Sequence, residues 1–210
     1  MQITWKGQTC VLITGQRAKG EQVTILVNPL DADSGLKMSS VDCDILAFTA
    51  EHTKDDLKIA KGEPFLVDTP GEYDIKGVAI LGISISTDSG EETIYSFGLE
   101  EMKVCHLGDL RQKELTEEQV EKIGDVDILL IPVGGNGGIS ADEARKIILQ
   151  IEPKVAIPIR YRIPGLKQKL DGPEGFLKIM GAKAAETFPK LVVRKKDLTN
   201  EETKVIILNP

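Results

Sequence analysis

Three short apolar runs constrain this chain more than any other feature. Asp44 to Thr49 (Asp-Ile-Leu-Ala-Phe-Thr), Asp127 to Val133 and Val155 to Ile159 are nearly continuous in aliphatic residues. Each gives way at once to polar or glycine residues. A strand that is apolar on both sides of its pleat must be covered on both faces, so the sheets need layers above and below them. In such sheets ligands gather beyond the carboxyl ends of the strands.

The remaining pattern supplies the rest of an α/β chain. Ile3, Trp5 and Cys10 to Thr14 read as two strands around a turn at Gly7, and Val23 to Val27 as a third that ends at Asn28-Pro29. Phe65 to Val67, Val78 to Ile85, Thr93 to Gly98 and Met102 to Cys105 are separated by turn residues, which predicts an antiparallel meander. Thr116-Glu117-Glu118-Gln119 and Ser140-Ala141-Asp142-Glu143 are capping boxes, so helices should open there. The second helix carries Ala144, Ile147, Ile148 and Ile151 on one face. A third is expected over Pro173 to Met180, with Pro at N1 and Gly181 as its stop. Leu191 to Val193 and Val205 to Leu208 suggest a terminal hairpin. Asp42-Cys43-Asp44-Ile45-Leu46 also echoes Asp125-Val126-Asp127-Ile128-Leu129, as two related halves facing across a sandwich would.

Composition narrows the function classes. Lys and Arg number 26 against 33 Asp and Glu, a formal charge of −7 that argues against nucleic acid or an anionic membrane as partner. A chain of 210 residues, 41% hydrophobic, is expected to form one domain over 1–210 with a sizeable core. Cys10, Cys43 and Cys105 are too few and too scattered for a disulfide framework, and are expected to be buried small hydrophobes. The opening Met1 to Gly7 turns polar too early for a secretory segment, and no apolar run approaches the ~18 residues of a membrane span. A cytoplasmic location is expected.

Three strand-end loops can carry chemistry: Ala50 to Asp56, His106 to Asp109 and Arg160 to Arg162. Together they offer His52, Asp55, Asp109 and Arg160 to one pocket. Gly134-Gly135-Asn136-Gly137-Gly138 lacks the Lys-Ser/Thr of a phosphate loop and reads as a plain strand-to-helix connection. Cys105 and His106 are adjacent on a strand and point to opposite faces, which speaks against a Cys–His dyad.

In order and spacing, several segments resemble the metallo-β-lactamase fold family, in its small Zn-dependent-hydrolase-like branch. They are Ile3-Thr4-Trp5-Lys6-Gly7-Gln8-Thr9-Cys10, Val27-Asn28-Pro29, Pro70-Gly71-Glu72-Tyr73, His106-Leu107-Gly108-Asp109, Ile131-Pro132-Val133-Gly134-Gly135 and Pro153-Lys154-Val155-Ala156-Ile157-Pro158. The resemblance implies an αββα sandwich of two similar halves. It also implies a His-x-His-x-Asp-His loop, two further His and a bridging Asp, holding Zn²⁺ or related ions that activate water.

The family's ligand pattern falls on Ala50, His52, Lys54 and Asp55, then Thr87, then Asp109, then Arg160, so only His52 and Asp109 are retained and Asp55 is a substituted donor. Gly7-Gln8 and Asn28 likewise lack the His and Asp often found there. These seven residues are the pocket candidates, and His52, Asp55 and Asp109 the residual metal-ligand candidates. Lys54 and Arg160 are expected to pair with Asp55 and Asp109, with Arg160 bidentate. On this arithmetic no cofactor is expected, and the leading expectation is a non-catalytic binding or interaction protein for an unidentified small molecule or protein. The alternative is a metal-dependent hydrolase of an ester, amide or phosphodiester bond with substituted ligands, using zinc. A third reading is metal-free acid–base chemistry by His52 with Asp55 or Asp109. The resemblance also allows a homo-oligomer.

Overall fold

The structure is a computed structural model that describes residues 1–17, 20–87, 90–182, 187–199 and 201–210. The first half runs β1 (Gln2–Gly7), β2 (Cys10–Gln16), β3 (Gln22–Val27), β4 (Val41–Asp42), β5 (Ile45–Ala47), β6 (Ala60–Lys61) and β7 (Phe65–Val67). A second stretch holds β8 (Gly71–Ile75), β9 (Val78–Thr87), β10 (Gly90–Leu99) and β11 (Met102–His106). Then follow α1 (Glu117–Ile123), β12 (Ile128–Pro132), α2 (Ala141–Ile151), β13 (Val155–Ile159) and α3 (Glu174–Ile179). The chain closes with β14 (Thr187–Phe188), β15 (Leu191–Val192), β16 (Lys204–Val205) and β17 (Ile207–Leu208).

Two sheets carry the architecture. One has the order β15-β1-β2-β3-β5-β7, the other β16-β13-β12-β11-β10-β9-β8. Their inner faces share a single core, in which Ile3, Trp5, Val11, Ile13 and Ile25 of the first sheet join Ile80, Phe97, Val104 and Leu129 of the second. β1 shows the period-2 rule directly, with Ile3 and Trp5 buried between half-buried neighbours. The three apolar runs are the inner strands β5, β12 and β13, buried at every position. The outer face of the second sheet is covered by helix. α2 buries Ala144, Ile147, Ile148 and Ile151, and both expected capping boxes form around Thr116 and Ser140.

The expected α/β sandwich forms, with three departures in detail. Among the described residues no α-helix covers the outer face of the first sheet. Cys10, Leu26, Leu46 and Phe48 there are packed by Leu30 and Met38, from the loops on either side of a 3₁₀ turn at Ala32–Ser34, and by Leu57 and Ile59 of a second 3₁₀ turn at Asp56–Ile59. Gly35 at φ 84 ends the first turn after a single cycle. The segment 65–67 is not part of the meander, because β7 pairs in parallel with β5 and the meander consists of β8 to β11. The terminal hairpin does not form. β15 adds antiparallel to β1, whereas β16 adds parallel to β13 and β17 to β14, so the ends of the chain seal two different sheets. A short apolar run signals a strand but carries no record of its partner.

The topology also locates the chemistry. β3, β5 and β7 are parallel, and so are β11, β12 and β13. Their carboxyl ends deliver Asn28, Thr49, Asp68, Asp109 and Arg160 to one edge of the sandwich. Across that edge the two sheets are joined by hydrogen bonds from Thr93 N to Thr49 O (2.7 Å) and from Arg160 N to Gln8 O (2.9 Å).

Candidate functional site

Two pockets flank Thr49 at this edge. The inner one, about 180 Å³, is lined by Gln8, Thr9, Asn28, Asp31, Asp109, Arg160 and Gln168, together with Pro29 and Leu30. Asn28 is its hub. Its amide donates to the hydroxyls of Thr9 (3.2 Å) and Thr49 (2.8 Å), and its carbonyl accepts from Thr49 N (2.9 Å). Gln8, Asn28 and Arg160 all hold positive φ, near 50°. Three non-glycine residues in the left-handed region around one small pocket is a concentration of backbone strain of the kind that accompanies functional sites.

Arg160 is almost fully buried, its Nε on Asp109 Oδ1 and its Nη1 donating to Gly135 O at 2.7 Å. The pair forms through Nε, while Nη1 turns to the carbonyl of the glycine loop. Asp109 and the neighbouring Glu92 are both held above their ordinary values. For Asp109 burial outweighs the charges of Arg160 and Arg111, and for Glu92 burial acts first and the charge of Asp109 adds to it.

The outer cleft, about 480 Å³, is lined by Thr49, Ala50, Glu51, His52, Asp68, Thr69, Pro70, Glu91 and Thr93. His52 Nε2 lies 3.0 Å from Asp68 Oδ2. Its ring stacks on Phe48 with centroids 4.1 Å apart and planes 23° from parallel. The carboxylate can only accept, so Asp68 favours the tautomer with the proton on Nε2, while Nδ1 faces Thr53 O at the longer distance of 3.5 Å.

His106 has the opposite character. It is fully buried, donates from Nε2 to Thr9 O (2.9 Å) and accepts from Gly108 N (3.0 Å) at Nδ1. Burial lowers it to about 4. The unfolded chain then binds the extra proton between pH 6.5 and about 4, so stability present above pH 6.5 is lost as pH falls through that window. The loss is expected to reach about 3 kcal/mol at one site. Urea unfolding at pH 7 and pH 4.5 checks this, because His106→Gln should flatten the difference in that window.

The sequence-derived candidates divide as follows. Asp109 and Arg160 meet in the inner pocket, while Ala50 and His52 line the outer cleft. Lys54 lines neither pocket and is exposed. Asp55 is exposed too and is bound to Lys58 at 2.5 Å, three residues on beside the same 3₁₀ turn, so it takes Lys58 in place of Lys54 as partner and lines neither pocket. Thr87 pairs with Gly90 at the far end of β9, and its side chain lies outside those described. All three cysteines are buried, with burial raising the thiols of Cys10 and Cys105 to about 12 and of Cys43 to about 11. The glycine loop acts as the acceptor for Arg160. Asp68 was missed because β7 was read as a meander strand. As the residue after the last strand of a parallel trio, it occupies a ligand position.

This sandwich, with its polar site across the carboxyl ends of two parallel trios, defines a class. Residues 2–160 match the family model described as the beta-lactamase superfamily domain, and the chain belongs to that superfamily. It is similar over 99% of its length to a crystal structure from Thermotoga maritima, which is covered over 97%, at 32% identity and a TM-score of 0.81. That protein is provisionally assigned as a Zn-dependent hydrolase of the metallo-beta-lactamase superfamily. A UPF0173 protein of Pyrococcus abyssi is 28% identical over 190 residues, 77% of this chain and 83% of the relative. A UPF0173 metal-dependent hydrolase of Thermococcus onnurineus is 29% identical over 54% of this chain, which spans about half of that relative (53%). These names overturn the expectation of a non-catalytic binding or interaction protein. That expectation counted ligands lost from one motif and took no account of His52 and Asp68 meeting in a cleft.

The metal those names imply does not fit the donors among the described residues. Asp109, the bridging carboxylate by resemblance, is already taken by a buried guanidinium. His52 and Asp68 are two donors where three or four are needed. Among the described residues no group of three or more His, Cys, Asp and Glu is placed to hold an ion. Also among them, no helix is long and apolar enough to cross a membrane.

Proposed function

We propose that this chain is a hydrolase of ester, amide or phosphodiester bonds that works in the outer cleft, with His52, oriented by Asp68, as general base. The observation that carries the reading is the 3.0 Å contact between His52 Nε2 and Asp68 in an open cleft at the strand ends. The names of the relatives support the reaction class.

In this reading water attacks the carbonyl carbon while His52 Nδ1 takes its proton. The bond to the alkoxide or amine then breaks, and the imidazolium returns the proton to the leaving group. Asp68 holds the tautomer and steadies the imidazolium, and Phe48 keeps the ring from turning. The described lining residues include Glu51, Asp68 and Glu91 but neither Lys nor Arg. Such a cleft repels anions, which favours neutral esters and amides over phosphodiesters. Zinc dependence is the finer form of the reading. It would require a third donor beside His52 and Asp68, which the described residues do not place there.

A panel of p-nitrophenyl acetate, an amino-acid p-nitroanilide and bis(p-nitrophenyl) phosphate, each assayed with and without EDTA, tests it. Hydrolysis is expected for the ester first and for the phosphodiester last. Loss of activity in EDTA, restored by Zn²⁺, would establish the zinc form. Absence of turnover on all three would contradict the hydrolase reading.

A further inference from the structure

The inner pocket is built around a cation of its own. The Arg160 side chain is 3% exposed, and two of its three guanidinium nitrogens are fixed, Nε by Asp109 and Nη1 by Gly135 O. Its backbone is pinned by the bond from Arg160 N to Gln8 O and held at φ 51. A Cβ on Gly138 would stand 2.8 Å from Nη1 and 3.1 Å from Asp109 Oδ1, so the loop wall is shaped to the ion pair.

Around the ion pair itself the charges balance without any further ion. Asp109 and Glu92 face Arg160 and Arg111, two against two, with Arg111 Nε 3.6 Å from Glu92 Oε1. Asp31, on the rim, caps its own 3₁₀ turn by accepting from Ser34 N at 2.5 Å. A divalent ion entering here would meet a guanidinium in a partly desolvated pocket, with only the rim carboxylate of Asp31 left to offset it.

We infer that Arg160 is the resident cation of the inner pocket, occupying the Asp109 carboxylate so that no metal binds there and the chain holds one divalent ion at most. The claim concerns binding and stands whether or not the outer cleft hydrolyses anything.

Full-length protein, stripped with EDTA and then incubated with excess Zn²⁺ or Mn²⁺, is passed through gel filtration and analysed for retained metal. The expected result is one ion per chain or none, with the same value for Asp109→Asn. Two retained ions, or one that is lost in Asp109→Asn, would overturn the inference. Thermal melts supply the second reading. Asp109→Asn and Arg160→Met should each lower Tm by several degrees, and the double variant should fall by less than their sum, because the pair is removed together. Strict additivity, or a Tm for Arg160→Met equal to wild type, would show that the guanidinium is not a fixed part of the pocket. If Arg160→Met does not fold, the metal count on Asp109→Asn still decides.

Discussion

Trp5→Ala is expected to lower stability by about 4 kcal/mol, the upper range for truncating a large buried aromatic residue. Trp5 is fully buried, its ring lies 4.5 Å from that of Tyr161, and its Nε1 donates to Gln8 O at 2.8 Å. Truncation leaves a cavity between the two sheets and removes one donor from a carbonyl that also receives Arg160 N. For a chain of this size such a loss is about 10 °C in Tm. The effect should also reach the inner pocket, because Gln8 at φ 51 is held from both sides by these two bonds. Chemical unfolding of Trp5→Ala and Trp5→Phe checks this, and the phenylalanine variant should recover more than half of the loss.

Gly134→Ala is the second large effect, expected at about 3 kcal/mol, as for a methyl forced into a packed site. The new Cβ would stand 2.2 Å from Arg160 O and 3.0 Å from Tyr161 Cα, both backbone atoms, and 3.1 Å from Leu170 Cβ. Backbone cannot move aside as a flexible side chain can. The strand end at Val133 and the loop at Arg160 must therefore part, which displaces Arg160 from its pocket. Gly137→Ala is the control in the same loop. No atom stands within 4 Å of its Cβ, so the added methyl meets open space and only the strain of φ 90 remains. A thermal melt of the two variants should separate them by several degrees. Equal losses would mean that the strain of the loop, rather than close approach to Arg160, sets the requirement for glycine.

Most of this architecture was legible in the sequence for a simple reason. Burial on both faces writes continuous aliphatic runs, and β5, β12 and β13 are just such runs. Capping boxes are equally local, since Thr116 with Gln119 and Ser140 with Glu143 close within four residues. Partner choice is not local, which is why β7 and the C-terminal strands were misassigned. The same limit applies to the site. Asp109 and Arg160 could be paired on charge and family position, and the structure joins them. Asp55 could not be separated from Asp68 in that way. Both are acidic residues near the same strand ends, and only the fold shows that the first turns to Lys58 and the second to His52. Gly135 O was invisible as a ligand because a backbone carbonyl leaves no mark in a sequence.

The central claim, that the outer cleft is a hydrolytic site run by His52 and Asp68, is tested most directly by kcat/KM of three proteins on the best ester of the panel. Wild type, His52→Ala and Asp68→Asn are compared at pH 7.5 after a melt confirms that all three fold. His52→Ala is expected to lose about 100-fold or more, as for removal of a general base. Asp68→Asn should also lose about 100-fold or more, mainly in kcat, because its amide can donate to Nε2 and leave the proton on Nδ1, the nitrogen that must act as base. Equal kcat/KM for wild type and His52→Ala would contradict the account.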